Sequence, residues 1–415
     1  MHRDPPGLGV TATHDAVRAA VSAAYRDEWG QVVATLIGQT QDWDLAEDCT
    51  QEAFEAALAT WPRDGIPRRP GAWLTTTARH RATDRLRRDA VGRAKLRQLA
   101  VLAREPDEPA VDEIPDDRLR LIFTCCHPAL PFEARVALTL RTLAGLSTAE
   151  IAKAFLTAET TMAQRLVRAK RKITEAGIPY RVPPAELLPQ RLAAVLGVLY
   201  LIFNEGYAEQ DGRRALTAEA IHLTRVLVRL MPHEPEPAGL LALMLLHESR
   251  RTSRIEADVL VPLEHQDRSK WDRGLIDEGV AVLGQAMAML RPGPYQVQAA
   301  IAVCHATAPD SERTNWRQIA GLYAELAWLA PSPVVELNRA VAIAMSEGIP
   351  AGLALVDELT ASGRLDGYYL LPATKADLLR RAGQVSEAKA AYKQALEQAP
   401  TEAERRYLAR RLDEF

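Results

Sequence analysis

Residues 42–89 constrain the chain most, because they predict two helices of opposite character joined by a loop. The loop at residues 62–71 holds three prolines and two glycines, so neither helix is expected to run through it. At about 100° per residue, the first helix has an apolar side and an acidic side that is not expected to be buried. The apolar side holds Ala53, Phe54, Ala57 and Trp61, and the acidic side holds Asp44, Asp48, Gln51, Glu52 and Glu55.

The second helix pairs an apolar stripe with a polar, basic face. From Arg63 to Arg97 there are eleven Lys/Arg against three Asp/Glu, although the whole chain has a net charge of −3. Basic residues interleaved with Trp, Thr and His suit a nucleic-acid backbone and an exposed base; a solvated arginine-rich helix is the alternative interpretation. The stripe is Leu74, Ala78, Ala82 and Leu86, and the opposite face is Trp73, Thr76, Thr77, His80, Arg87 and Arg88.

The order of these two helices resembles region 2 of the extracytoplasmic-function (ECF) sigma factors of bacterial RNA polymerase. The resemblance rests on DLAEDCTQEAFEAAL followed by AWLTTTARHRATDRLRR. It implies that Asp48, Gln51 and Glu52 face the clamp of the polymerase's largest subunit. It also implies that the second helix opens the promoter's −10 element and holds an unstacked base, through the six residues of its polar face. Where the family pattern is Ala-Arg-Asn, this chain has Ala78-Arg79-His80.

Length and composition limit the class of protein. A chain of 415 residues has room for two or three domains, and 6% aromatic residues suit closely packed helices, so an all-α fold is expected. No run of 18 apolar residues is present, and the N-terminal residues form no apolar signal core. Four cysteines do not make a disulfide framework. We therefore expect a cytoplasmic protein with reduced thiols and no membrane contact.

A second predicted domain lies at residues 118–177, after an acidic, proline-bearing linker at 103–117. The pattern predicts one helix that begins at Leu119 and another from Pro131 to Leu143. A short helix follows, with Ser147 and Glu150 as a capping box, and then a longer helix capped by Thr157. This order is that of a helix-turn-helix. The apolar face of the long helix is Ala158, Met162, Leu166, Ala169 and Ile173, and the polar face is Thr160, Thr161, Gln164, Arg165, Arg168, Arg171 and Lys172.

The polar face of the long helix carries donors that suit phosphates and base edges in a major groove. The segment PFEARVALTLRTLAGLSTAEIAKAFLTAETTMAQRLVRAKRKI resembles sigma region 4, which reads the −35 element. The resemblance implies −35 contacts from Thr160, Thr161, Gln164, Arg165, Arg168 and Lys172. Contact with the polymerase flap is expected as well. Phe155-Leu156-Thr157 stands at the turn, where a glycine is common in the family.

No motif in the chain predicts catalysis. Cys125-Cys126-His127 is interpreted as a pair of buried thiols near a helix end, because adjacent cysteines do not easily bind one tetrahedral zinc ion. The histidines lack metal-ligand spacing, and nucleophile and phosphate-binding motifs are absent from the sequence. We expect neither an enzyme nor a bound metal or cofactor.

The remainder, residues 190–415, follows a linker at 178–189 and is predicted to form helix pairs. Residues 369–402 match the packing positions of a 34-residue tetratricopeptide unit, with Ala376, Leu379, Gly383, Ala388, Tyr392, Ala395 and Pro400. From Ile178 onward, 26 Lys/Arg stand against 30 Asp/Glu, so a DNA surface is not expected there. Segments such as LYLIFNEGY and GPYQVQAAIAVCHA resemble the helical, tetratricopeptide-containing extension of one sigma group. In that group the extension replaces a separate regulatory protein, and a partner protein at the extension remains open.

The sequence therefore predicts an all-α sigma factor with region 2 at residues 14–100, region 4 at 118–177 and a regulatory extension at 190–415. Its expected partners are core RNA polymerase and promoter DNA. One alternative is a one-component helix-turn-helix regulator with a repeat-type sensor, which leaves the acidic helix beside the basic one unexplained. A repeat-type scaffold without a nucleic-acid role is a second alternative, and it leaves both basic faces unexplained.

Overall fold

The fold is all-α, as the sequence predicts. A computed structural model of the protein describes residues 14–88, 117–155, 157–208, 214–256 and 258–415. In these ranges it has 18 α-helices, and its one sheet consists of two short strands. The predicted linker up to residue 116 and residues 89–100 of the predicted first domain lie outside these ranges.

The chain divides into two compact units, Met1–Leu223 and Thr224–Phe415. The helices of the first unit are α1 (His14–Thr40), α2 (Trp43–Asp64), α3 (Pro70–Arg88), α4 (Asp117–Cys125), α5 (Phe132–Thr142), α6 (Thr148–Ala154), α7 (Glu159–Glu175) and α8 (Leu188–Ala208). The next helix, α9 (Arg214–Leu230), begins in the first unit and ends in the second.

Helices α1, α2 and α3 pack on one another around the two predicted apolar stripes, every member of which is buried. The Asp42 side chain caps α2 by accepting a hydrogen bond from the Leu45 backbone N–H. One detail of the prediction was wrong: α2 continues past Pro62 and ends at Gly65, whose φ is +84°. A proline near the end of a helix removes a single hydrogen bond, so the last turn can still form.

Helices α4 to α8 form the second part of this unit. Ser147 and Glu150 make the predicted capping box at the start of α6, and the short helix α6 and the longer α7 pack together as a helix-turn-helix. The N-cap residue of α7 is Ala158, which makes no side-chain hydrogen bond. The prediction that Thr157 caps this helix was therefore wrong. Ala158 is also exposed, whereas Met162, Leu166, Ala169 and Ile173 are buried as predicted.

The second unit contains helix pairs and one short hairpin. Strands β1 (Ile255–Glu256) and β2 (Val259–Leu260) are antiparallel, and β2 packs against the last helix of the unit. The helices are α10 (Pro235–Glu248), α11 (Arg273–Met287), α12 (Pro294–Thr307), α13 (Trp316–Leu329), α14 (Pro333–Glu347), α15 (Ile349–Ala361), α16 (Leu370–Arg381), α17 (Val385–Gln398) and α18 (Glu402–Asp413).

The predicted repeat at 369–402 corresponds to the pair α16 and α17, joined by a tight turn in which Gly383 has φ of +77°. Pro400 lies past the end of α17 and is exposed, but the other five predicted positions pack inside this pair. Ala376, Leu379, Ala388, Tyr392 and Ala395 belong to one buried cluster, to which Leu408 of α18 also contributes. The spacing of small and aromatic residues therefore predicted this helix pair correctly.

Candidate nucleic-acid and protein interfaces

Helix α3 presents the first predicted nucleic-acid face. Its buried stripe holds the helix against α1 and α2, which leaves the opposite face outward. Trp73 is half-buried because its indole packs edge-on against that of Trp61, with ring centroids 5.5 Å apart. This contact fixes the indole at the start of the face. Thr77 is half-buried as well, and Thr76, His80, Arg87 and Arg88 are exposed.

Helix α7 presents the second predicted face. Arg165 is half-buried beside the apolar side, and within the described residues neither it nor Arg168 forms an ion pair. Both guanidinium groups therefore keep their charge available for an anionic partner. Thr160, Thr161, Gln164, Arg168 and Lys172 are exposed.

The acidic side of α2 is engaged more fully than the sequence predicts. Arg85 of α3 donates to Asp48 at 3.0 Å and also forms an ion pair with Glu52. Burial opposes the charge of Arg85, but its bonds to these carboxylates outweigh burial and raise its pKa. Gln51 donates to Glu55 at 3.2 Å. The residues predicted to face the polymerase thus remain at the surface while two of them also hold α3 in place.

Glu47 is a site residue that the sequence interpretation missed. Its carboxylate is 5% exposed and lies 2.9 Å from Nε of Arg141 in α5 and 3.0 Å from Nζ of Lys170 in α7. Lys170 also reaches Asp44, at 2.7 Å. We call Asp44, Glu47, Arg141 and Lys170 the interdomain charge cluster. The sequence contained a signal for this site, because Glu47 lies one turn before Thr50 on the buried side of α2. A buried carboxylate requires a partner.

Uncharged contacts reinforce the interdomain charge cluster. The Tyr25 hydroxyl of α1 donates to the carbonyl of Gly145 at 2.7 Å, and the Trp29 indole N–H donates to the carbonyl of Thr142 at 3.1 Å. Gly145 has φ of +74°, and a Cβ there would lie 2.9 Å from the Tyr25 ring. A Cβ on Gly30 would lie 2.9 Å from the carbonyl oxygen of Leu143. The first three helices and the helix-turn-helix part are therefore in close contact.

The four cysteines are free thiols and all are buried, although burial was predicted only for Cys125 and Cys126. Burial raises the pKa of Cys49 and of Cys126 to about 11 and raises that of Cys125 well above its usual value. Such thiols stay protonated near neutral pH and are poor nucleophiles. Among the described residues, no three His, Cys, Asp or Glu side chains converge as metal ligands. None of the helices described is long and apolar enough to span a membrane.

Three family models match successive parts of the chain. Sigma-70 region 2 matches residues 24–91, and Sigma-70, region 4 matches residues 120–173. A family of unknown function, DUF6596, matches residues 191–287. The chain therefore carries both sigma-70 regions, with the acidic and basic helices α2 and α3 in the first match and the helix-turn-helix in the second.

Two curated relatives extend this result. Uncharacterized protein R00370 of Rhizobium meliloti (strain 1021) is 43% identical over 394 residues, which cover 92% of this chain and 93% of the relative. Probable ECF RNA polymerase sigma factor SigI of Mycobacterium tuberculosis (strain CDC 1551 / Oshkosh) is 27% identical over 234 residues, covering 53% of this chain and 79% of the relative. No solved structure matches the chain.

Proposed function

We propose that this chain, which belongs to the same family as the uncharacterized protein R00370 of Rhizobium meliloti, is an ECF sigma factor. It binds core RNA polymerase and directs it to specific promoters, and its C-terminal helical domain regulates that activity. The observation that supports this most is the place of the two sigma-70 matches. They coincide with the acidic helix beside a basic one and with the basic helix-turn-helix.

The proposed contacts follow from the exposed faces. Asp48, Gln51 and Glu52 of α2 bind the polymerase clamp. The polar face of α3, from Trp73 to Arg88, binds the −10 element, and that of α7, from Thr160 to Lys172, binds the −35 element. Such a protein performs no covalent chemistry: phosphate contacts supply affinity and a few base contacts supply promoter choice. It acts where the polymerase is, in the cytoplasm.

The contacts in the first unit support a closed resting state. Helices α3 and α7 both contact α2, which has 22 residues and is therefore roughly 33 Å long. By their positions, the −10 and −35 elements are about 25 base pairs apart, which is roughly 85 Å along straight DNA at about 3.4 Å per base pair. Helices held on one short helix cannot reach both elements. We propose that binding to polymerase separates them and breaks the interdomain charge cluster.

The C-terminal domain is proposed as a tetratricopeptide-like regulator. Its helix pairs support this, as does its charge, because a mildly acidic array is a poor DNA surface. Tethering gives such a domain a high effective concentration, so weak contacts suffice for regulation. The sign of that regulation, inhibition or requirement, is an outcome to be measured, and a partner protein on this domain remains part of the proposal.

The deciding experiment is run-off transcription with purified core polymerase and a promoter selected by the protein. The full chain should support specific transcripts from core enzyme alone. A helix-turn-helix regulator with a repeat-type sensor, the second candidate, would need a different sigma factor in the same reaction. Absence of transcripts with core, together with an effect on a pre-formed holoenzyme, would support that second candidate and reject the first.

The regulatory part is tested in the same assay with a chain that ends at residue 208. A cut there keeps α8, which packs against α4 and α5, and so preserves the helix-turn-helix part better than a cut near residue 180. The truncated chain should differ in transcription, upward if the domain inhibits and downward if it is required. Equal activity of two chains with equal helix content would remove the regulatory role.

A further inference from the structure

The second unit contains a cavity, partly open to solvent, that the proposed sigma function does not use. Its volume is about 300 Å³, at the small end of the range typical of ligand pockets. Most of the wall is apolar, with contributions from Leu263, Trp316, Met345 and Leu370. The walls come from α12, α13, α14, α16, α17 and α18, and the segment at residues 260–268, which follows the hairpin, completes them.

This segment is fastened to the helices by charged hydrogen bonds. Arg381 of α16 donates to both carboxylate oxygens of Glu264 at 2.7 Å. Arg268 donates to the backbone carbonyls of His305, at 2.6 Å, and Ala308, at 2.7 Å. Charge-assisted bonds of this length hold a loop in one geometry. The cavity is thus a built feature of the unit rather than a gap beneath a loose loop.

The charged groups that line the cavity are not paired evenly. The carboxylates of Glu264 and Asp377 are both bound by Arg381, and Arg380 also pairs with Asp377. Arg268, by contrast, donates only to carbonyls and stacks on the Trp271 ring at 4.7 Å, without an ion pair among the described residues.

The other groups near Arg268 leave its positive charge in place. The nearby Asp310 is paired with Arg313. Burial lowers the pKa of His305 to about 4, with Arg250 and Arg268 contributing, so this ring is neutral at physiological pH. Arg268 is therefore a cation of the cavity wall that has no ion pair among the described residues, and Asp310, whose charge acts on it, is shared with Arg313.

We propose that this cavity binds a small organic acid, with its apolar body against the apolar wall and its single anionic group at Arg268. A neutral hydrogen-bonding group on the ligand has a second point of contact at Tyr392. This side chain lines the cavity and is 1% exposed, and its hydroxyl lies near Arg380 without a well-formed hydrogen bond. The proposal does not depend on the sigma function.

The test compares two fluorescent probes on the full chain. One is 8-anilinonaphthalene-1-sulfonate, an apolar ring system with one anionic group, and the other is N-phenyl-1-naphthylamine, the same rings without the sulfonate. The sulfonate probe should bind at one saturable site. Thr374→Phe, which fills the cavity, should weaken both probes about ten-fold or more, whereas Met287→Phe, at an exposed site outside it, should not.

The role of Arg268 is tested by removing and restoring its positive charge. Arg268→Gln should weaken the sulfonate probe about ten-fold and the neutral probe less than about two-fold, and Arg268→Lys should restore much of the sulfonate binding. Arg317→Gln, an exposed arginine outside the cavity, should change neither probe. If Arg268→Gln unfolds the chain, Thr374→Phe still decides. Equal binding by every variant, or equal losses of both probes in Arg268→Gln with an intact fold, would overturn the proposal.

Discussion

Two basic helices carry the proposed DNA faces, and each gives one cation to α2, but in different ways. Arg85 of α3 pairs with the largely exposed Asp48 and with Glu52, inside one three-helix bundle. Lys170 of α7 pairs with Asp44 and with the buried Glu47, across two parts of the unit. Exposed ion pairs contribute little to stability, whereas breaking a buried pair is costly. The first pair orients a helix, and the second keeps the two proposed DNA faces together.

Reversal of the charge of Glu47 has the largest expected effect. Glu47→Lys would place a third cation between Arg141 and Lys170 at a site that is 5% exposed, so the free energy of unfolding should fall by about 3–5 kcal/mol. Urea unfolding followed by circular dichroism measures this loss. Glu55→Lys, on the exposed side of the same helix, is the control and should cost less than about 0.5 kcal/mol. Similar losses in the two variants would show that the cluster has no special role.

The two carboxylates that pair with Arg85 are the next target. Asp48→Arg with Glu52→Arg should weaken the binding of core polymerase by about 2 kcal/mol or more, because it reverses the charge of the proposed interface. The measurement is core affinity by fluorescence anisotropy, with circular dichroism to check the fold.

This double substitution also removes both partners of Arg85. A triple variant that adds Arg85→Glu restores opposite charges between α2 and α3 while the outward face stays reversed. Core binding should remain weak in the triple variant. If the third substitution restores it, the carboxylates act through the position of α3 and not through contact with polymerase.

Substitutions in α7 should show a smaller effect. Arg165→Ala or Arg168→Ala should each cost about 1–2 kcal/mol of promoter affinity if the side chain pairs with a base. Lys153→Ala, an exposed cation on the neighbouring helix α6, serves as the control. A loss confined to promoters with the native −35 sequence indicates base contact, and a uniform loss indicates phosphate contact. No loss from either arginine would mean that α7 does not enter the groove.

The smallest effect is expected in the reactivity of the Cys125 thiol, which reports whether the proposed closed resting state opens. Cys125 lies near enough to Glu47 and Lys170 for their charges to act on it, although burial is the main cause of its raised pKa. Alkylation of Cys125 at pH 8 should be slow in the native chain and faster in Lys170→Met. The control Lys172→Met should react as slowly as the native chain. Mass spectrometry of the labelled peptide measures the rate. Equal rates would mean that Lys170 does not hold the two parts together.

The raised thiol pKa values also predict a pH dependence of stability. A thiol whose pKa is raised in the folded state stabilises the fold fully below its unfolded pKa, and this contribution is lost as the pH rises toward the folded value. For Cys49 and Cys126 the loss should therefore run from about pH 8.5 to about pH 11. Cys49→Ser should reduce this slope in urea unfolding at alkaline pH. An unchanged slope would show that the thiol does not titrate there.

Helix periodicity alone was enough to determine much of this protein. The stripes of α2 and α3, the capping box at Ser147 and the buried spacing of α16 and α17 were all predicted, because they depend on residues a few positions apart. The two sigma-70 regions followed from motifs of the same local kind. Prediction failed at helix ends, such as Pro62 and Thr157, where loss of one hydrogen bond or one cap changes the free energy only slightly.

Only the tertiary structure decided which distant charges meet. Glu47 and Arg141 are 94 residues apart, and Lys170 and Asp44 are 126 apart, so no local pattern joins them. The same holds for the cavity, where Arg268 and Arg381 come together through elements far apart in the chain. A sequence fixes which side chains are polar and which helix face they occupy. Their partners depend on how helices pack, and that packing results from the burial of many apolar side chains at once.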